Sequence, residues 1–534
     1  SRAKLLVRIS LCLIFALQIL PTILFCQTPV LQWAQRYHGT DTENNHPIGL
    51  EVDSLGNSYV TGAASIFNEN SNFVTIKYNS SGVQQWIDLY NGPGSNSIDW
   101  PIGIKLDNNK NVIVCGHSES AGFGSDDYVL IKYNNSGTRL WVARYNSSGS
   151  FADTPYDMTV DNAGNIYVTG TSYNGTRNDA LTIKYNSNGD SVWARRFNPA
   201  AVNTIGSSVV VDNSGSVYVS VQSGFTLMLV KYNSLGIQQW SVTGPSCYNI
   251  RSVIDDFGNV YIGCPKLQST PPGDDFYLCK YSPAGSLLWS RQFNGIGNNH
   301  DVIKDVCIVG NSLCATGYSV GISSNLDFLT IKLTPDGDTL WTRRYNGAEN
   351  GVDNPYSLTA DNAGNIYVIG QSENLAGLGM TTIKYGGTGD LLWETRYTGG
   401  GVDIKLNPIN NNIFIFGFVQ DVLPYAELIT VKYDQLVGGI SSATGVRDKF
   451  SLSQNYPNPF NPNTKIKYSI EQYSKVTLKV FDISGKLLTV LVDQIQNTGE
   501  YEVTWNAANF ASGFYFYELV TNDQREIRKM ILLK

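Results

Sequence analysis

Gly317-Tyr318-Ser319-Val320-Gly321 has the G-x-S-x-G spacing of a serine-hydrolase nucleophile turn. That device sets a serine on a sharp bend between a strand and a helix, where its hydroxyl meets a neighbouring base. Here the next segment, Asp327–Leu333, reads as another β run, so the spacing is expected to be ordinary strand sequence. The four histidines, His38, His46, His117 and His300, fall in different inter-strand loops. They are expected to be solvated loop residues and not a metal site or a shared base. Acids recur five positions before a repeated lysine, at Asp127, Asp179, Asp275, Asp327 and Glu427, while Asn72, Thr226 and Gly379 occupy the other three places. A charge repeated on such a schedule points to a turn cap or a hydrogen bond between repeats, although a catalytic carboxylate pair hidden among them would look the same. No glycine-rich phosphate loop follows a strand and opens a helix, so no nucleotide is expected. No catalytic residue, cofactor or metal site is assigned.

The elements that carry these residues are short and many. Charged residues make up 16% of the chain, against roughly 25% in ordinary soluble domains. Their place is taken by Asn, Ser, Thr, Tyr and 51 Gly, the mix of strands joined by turns. The net charge of −7 comes with no basic run, which argues against nucleic acid as a partner. A lysine is followed nine positions later by a tryptophan at Lys77/Trp86, Lys132/Trp141, Lys184/Trp193, Lys231/Trp240, Lys280/Trp289, Lys332/Trp341 and Lys384/Trp393. The period near 50 residues, with several β runs in each unit, is the pattern of propeller blades. Asp-x-x-Gly-Asn turns join the first two strands of a unit, and Asn-Ser-x-Gly turns join the last two. Trp33 has no preceding lysine and Lys432 has no following tryptophan. Pairing their two strands would complete a last blade and remove an open edge. The expected fold is all-β: an eight-bladed propeller of four-stranded blades over 27–435, with seven blades as the alternative.

Asp161–Gly170, Ile183-Lys184-Tyr185 and Gly189–Trp193 together resemble the SBBP (seven-bladed β-propeller) repeat family of secreted bacterial proteins. Asp361–Gly370, Ile383-Lys384-Tyr385 and Gly389–Trp393 form a second clear copy. The resemblance implies architecture and export, not a reaction.

Both chain ends read as addresses. Lys4, Arg2 and Arg8 precede an apolar stretch, Leu11–Phe25, of a length that fits a secretory signal peptide better than a membrane span; cleavage is expected after Cys26. Residues 436–449 read as a linker. Residues 450–534 alternate in hydrophobicity as a small Ig-like β-sandwich would. Asn455, Pro457, Asn458, Pro459 and Phe460 within NYPNPFNP, Gly485 and Lys486 within VFDISGK, and Gly513 within ASGFY resemble the type A sorting domain of the type IX secretion system. The resemblance implies export through that machinery, partnered by residues 450–534, to the cell surface or beyond. With the leader cleaved, no transmembrane segment is expected in the mature protein. Six cysteines remain outside the leader, Cys115, Cys247, Cys264, Cys279, Cys307 and Cys314. Export permits disulfides among them, and 15 pairings are possible.

Tight turns join strands one to two and three to four, so they share one face of the propeller, and the longer connections share the other. Function on a rigid scaffold concentrates in such longer loops. Several enter the innermost strand through a proline, which places Trp100, Tyr156 and Tyr356 around the mouth of the channel as expected stacking residues for a sugar or peptide. Aromatic packing between blades is the competing reading. The expected function is a secreted or cell-surface binding module for a glycan, a peptide or a surface protein. A propeller-based lyase or glycosidase, or a purely structural surface protein, is the alternative.

Overall fold

The computed structural model describes residues 28–435 and 451–534, less the connections at 40–44, 66–70, 94–97, 121–125, 148–150, 269–272, 298, 322–324, 348–349, 375–376, 423–424, 471–473, 497–498 and 522–523. The expected leader at 1–26 and the expected linker at 436–449 lie outside the described residues. The chain divides into two compact units, 1–437 and 438–534.

Eight four-stranded antiparallel sheets lie between Val30 and Asp434. Seven are built from consecutive strands, beginning with Asn45–Val52, Ser58–Ser65, Ser71–Tyr78 and Gln84–Tyr90. The last takes Gly400–Leu406, Ile413–Val422 and Tyr425–Asp434 and is completed by Val30–Tyr37 from the start of the chain. Trp33 stands opposite Lys432 in that pairing. The innermost strands touch in succession, and the first of them, Asn45–Val52, also meets the last, Gly400–Leu406. The middle strands are buried on both faces, as in Ser71–Tyr78, because each sheet is covered by its two neighbours. The core is therefore a series of apolar layers between sheets. One layer holds Tyr59 and Phe73 of the first sheet against Val112, Val114 and Val129 of the second.

The lysine–tryptophan spacing is a seam between blades. Within a sheet the two residues are cross-strand partners, as at Lys77 and Trp86. Both donate to one carbonyl in the turn of the next sheet. Lys231 Nζ and Trp240 Nε1 reach Pro283 O, each at 3.2 Å. Lys432 Nζ and Trp33 Nε1 reach Ser80 O, each at 3.1 Å, which carries the same clamp across the closure. The indole lies against the turn glycine. A Cβ at Gly137, where φ is 87°, would stand 2.5 Å from Trp86, so this place takes only glycine. The final seam has no following turn, and Lys384 Nζ reaches the side-chain oxygen of Gln435 at 2.7 Å instead.

The recurring acids form neither turn caps nor bonds between repeats. They pair within their own blade with the side chain three residues beyond the tryptophan, an arginine for Asp127 and Asp327 and a glutamine for Asp275: Arg144 Nη2 meets Asp127 at 2.9 Å, Arg344 Nε meets Asp327 at 2.5 Å, and Gln292 Nε2 donates to Asp275. Where Asn72 or Thr226 replaces the acid, Leu89 and Thr243 stand in the arginine's place.

The second unit packs a three-stranded sheet (Ser451–Leu452, Asn463–Ile470, Gly499–Asn506) against a four-stranded one (Leu487–Gln496, Ser474–Asp482, Gly513–Val520, Arg525–Leu532). Its core includes Phe460, Ile466, Leu478, Trp505 and Tyr517. No helix among the described residues is long and apolar enough to cross a membrane.

Candidate functional site

The innermost strands place their side chains through a shared irregularity. Each of seven carries a bulge in its pairing with the second strand, as between Pro47 and Gly49, Pro155 and Asp157, and Gly401 and Asp403. A bulge inserts one extra residue and re-aims the side chains around it. It also brings an inner-strand carbonyl close to the second strand, which is why glycine recurs there. A Cβ at Gly170 would lie 2.1 Å from Thr154 O, and one at Gly317 2.0 Å from Val302 O. Gly317-x-Ser319-x-Gly321 is thus strand sequence: Ser319 pairs with Asp301, and its hydroxyl accepts from Arg344 Nη1 at 2.9 Å.

The residue just after the bulge faces the axis. Around the ring these are Gly49, Gly103, Asp157, Ser208, Asp305, Ser357 and Asp403. The fifth sheet has a four-residue innermost strand, and Arg251 opposite Gly263 holds the matching place. Together they line a cavity of about 370 Å³ to which all eight sheets contribute. Sequence reasoning missed it, although Asp153–Asp157 and Asp301–Asp305 share a D-x-x-x-D spacing that marks two of its carboxylates.

Most charge in this cavity is already engaged. Lys105 Nζ meets Glu51 at 3.1 Å and Lys405 Nζ meets Asp403 at 2.8 Å. Burial presses the Lys405 ammonium down, but the carboxylates of Asp403 and Glu51 outweigh it and hold its pKa above the usual lysine value. Asp157 accepts from Ser208 Oγ at 2.9 Å and Val209 N at 2.8 Å on the next blade. Asp305 repeats the arrangement with Ser357 Oγ and Leu358 N, both at 3.0 Å. Burial raises both carboxyls above the usual aspartate range, and the incoming hydrogen bonds oppose it. These two aspartates are stitches between blades. Arg251 and Lys304 differ. Among the described residues neither has a carboxylate within ion-pair distance. Arg251 Nη1 reaches only its neighbour's carbonyl, Ile250 O, at 3.4 Å, and the Lys304 ammonium sits 5.2 Å from the centre of the Tyr318 ring.

Of the expected mouth residues, Tyr156 lines the cavity and is 50% exposed. Trp100 packs on His46 across a blade junction, ring centres 4.9 Å apart. Tyr356 is half-buried, its hydroxyl accepting from Asn354 Nδ2 at 3.2 Å. Among the described residues no ring contact joins the three. The other histidines each meet a different acid: His38 with Glu427, His117 with Asp126 and His300 with Asp274. No cluster of metal-ligating side chains occurs among the described residues. The six cysteines are free thiols, and Cys307 faces Cys314 across a strand pair.

In the second unit the motif residues tie the sandwich together. Asn455 is buried and donates through Nδ2 to Pro457 O at 3.1 Å and Thr464 Oγ1 at 2.9 Å. Asn458 Oδ1 accepts from Ile531 N at 2.8 Å, and the Phe460 and Ile531 backbones bond at 3.0 Å. Phe460 packs on Trp505. Pro459 lies between those two anchored residues. Gly485 takes a φ of 82° in the turn closed by Asp482, whose carboxylate accepts from Lys486 N at 3.0 Å. Gly513 opens the strand that pairs with the chain's last one.

Residues 454–533 match the secretion system C-terminal sorting domain, and residues 140–175 and 340–374 match the beta-propeller repeat. The sorting domain marks the chain for secretion to the cell surface or the extracellular space, and implies a partnership with the secretion machinery. An uncharacterized WD repeat-containing protein of Acanthamoeba polyphaga mimivirus is 24% identical over 451 residues, covering 69% of this chain; the chain spans only 31% of that protein's length. Among solved structures, PorZ, a bacterial surface component of the type-IX secretion system of Porphyromonas gingivalis, is 13% identical, with a TM-score of 0.36 over 91% of this chain and 70% of PorZ. A copper-bound fungal alcohol oxidase is also 13% identical, with a TM-score of 0.39 over 95% of this chain and all (100%) of the oxidase. Likenesses this loose specify nothing about what this chain binds.

Proposed function

We propose that the chain is an eight-bladed, surface-delivered binding module that takes a glycan at the axial cavity, exported behind a cleaved leader. The observation that carries this reading is the cavity itself. All eight sheets line it, and half-exposed Tyr156 shares the lining with Ser208 and Ser252. An aromatic face with adjacent hydroxyls suits a sugar ring. The buried carboxylates Asp157 and Asp305 are occupied by bonds between blades, which favours binding over acid–base chemistry. Tyr356 holds the same bulge place on its blade that Tyr156 holds on its own. The test is a glycan and peptide array probed with the full exported chain, with product release scored on every hit. Glycan binding without turnover, lost in Tyr156→Ala at an unchanged melting temperature, is expected. Turnover would replace the binder with an enzyme, and binding indifferent to Tyr156 would move the site elsewhere.

A further inference from the structure

The charge left without an ion pair at the cavity and beside it is positive and confined to two adjacent blades: Arg251 lines the cavity, and Lys304 precedes Asp305, which also lines it. Glu51 and Asp403 are matched by Lys105 and Lys405, and Asp157 and Asp305 are held by hydroxyl and amide donors. Arg251 and Lys304 remain. Arg251 sits where the other seven blades carry glycine, serine or aspartate, and its side chain is exposed. Lys304 occupies the bulge one residue before Asp305. Two like charges so placed repel: burial and the nearby guanidinium both push the lysine pKa down. Asp157 lies within electrostatic reach of Arg251 but is bonded to the next blade, so two neighbouring cations with no ion-pair partner are unfavourable, and an anion bound between them relieves it. A guanidinium fork donates to both oxygens of a carboxylate.

We propose that Arg251 and Lys304 bind the carboxylate of an acidic sugar, with Tyr156 against the sugar ring. The proposal rests on the glycan-binding reading above and names the class of glycan. Arg251 supplies the bidentate contact, and Lys304, held over Tyr318, supplies the second charge. The cavity, about 370 Å³, falls in the range of small-ligand sites, roughly 300–1,000 Å³.

The test is calorimetric titration of the full exported chain with trigalacturonate, its methyl ester, neutral maltotriose and triglutamate. Trigalacturonate should bind and weaken as salt rises. Esterification should cost about 10-fold or more in affinity, the size expected for loss of a charge-assisted pair. Arg251→Gln and Lys304→Met should each weaken trigalacturonate by about 10-fold with the melting temperature unchanged, and Arg251→Lys should recover only part of the loss. Equal binding of acid and ester, or wild-type affinity in both variants, overturns the site. Triglutamate binding as tightly as the sugar overturns the sugar class and makes the ligand an acidic peptide. Array hits that are indifferent to Arg251→Gln refute the anion site and leave the binding module standing. No binding to any array member refutes both.

Discussion

At the scale of single residues the seam is the most exposed to test. Trp341 is 6% exposed and donates to Gly387 O at 3.0 Å. Trp341→Ala removes a buried ring and leaves a cavity, so a loss of roughly 3–5 kcal/mol is expected in chemical denaturation; Trp341→Phe, which keeps much of the ring but not the donor, should lose less. Lys132 and Asp107 form a buried pair at 2.9 Å, both side chains 4% exposed. Burial draws the Asp107 carboxyl up, but bonds from Lys132 and Asn111 outweigh it, and its pKa lies below the usual aspartate value. A depressed native pKa stabilises the fold above the unfolded value, near 3.9, and that stabilisation is lost as pH falls through the native value. Asp107→Asn should therefore cost on the order of 3 kcal/mol at neutral pH, and the gap from wild type should close as pH drops below about 4, measured by denaturation midpoints across pH. The thiols test burial differently. Burial lifts Cys115 and Cys279 well above the usual cysteine value, so the native chain should resist maleimide while the unfolded chain reacts; ready native labelling would contradict the placement of these side chains.

At the scale of elements, the strand order within a unit was legible because turns and β runs write themselves locally. DNAGN at 161–165 shows the device: Asp161 Oδ1 accepts from Ala163 N and Asn165 N at 2.9 and 2.8 Å, so the turn is encoded within five residues. The closing strand was legible too, since Trp33 and Lys432 each lacked a partner that the other supplied. The cavity was not, for a geometric reason. Which residue of Asp153–Val160 faces the axis depends on the bulge between Pro155 and Asp157, and a two-against-one pairing has no fixed sequence period. Arg251 and Lys304 therefore carried no sequence signal of a site, and the aspartates paired with Arg144 and Arg344 looked like caps. Removing residues 28–37 should strip the last sheet of its outer strand and expose the Tyr425–Asp434 edge. Concentration-dependent self-association by light scattering is expected, and a monomer as stable as the intact protein would show that closure contributes nothing.

At the scale of the molecule, address and scaffold are separate units with separate cores. Asn455 holds the turn that receives the final strand, so Asn455→Ala should unfold the sorting unit and leave the propeller's melting transition in place. Exported protein should fall, and periplasmic protein rise, to the degree seen on deleting 452–534; normal surface delivery of that deletion would refute the address. The shared closing sheet carries a further consequence. Tyr425–Asp434 is the last propeller strand to be synthesised, and only it can receive Val30–Tyr37, while the address follows it in the chain. A polypeptide cut short anywhere before residue 425 lacks the strand that pairs with its first one and also carries no passport, so incomplete rings should stay behind by the order of the gene alone.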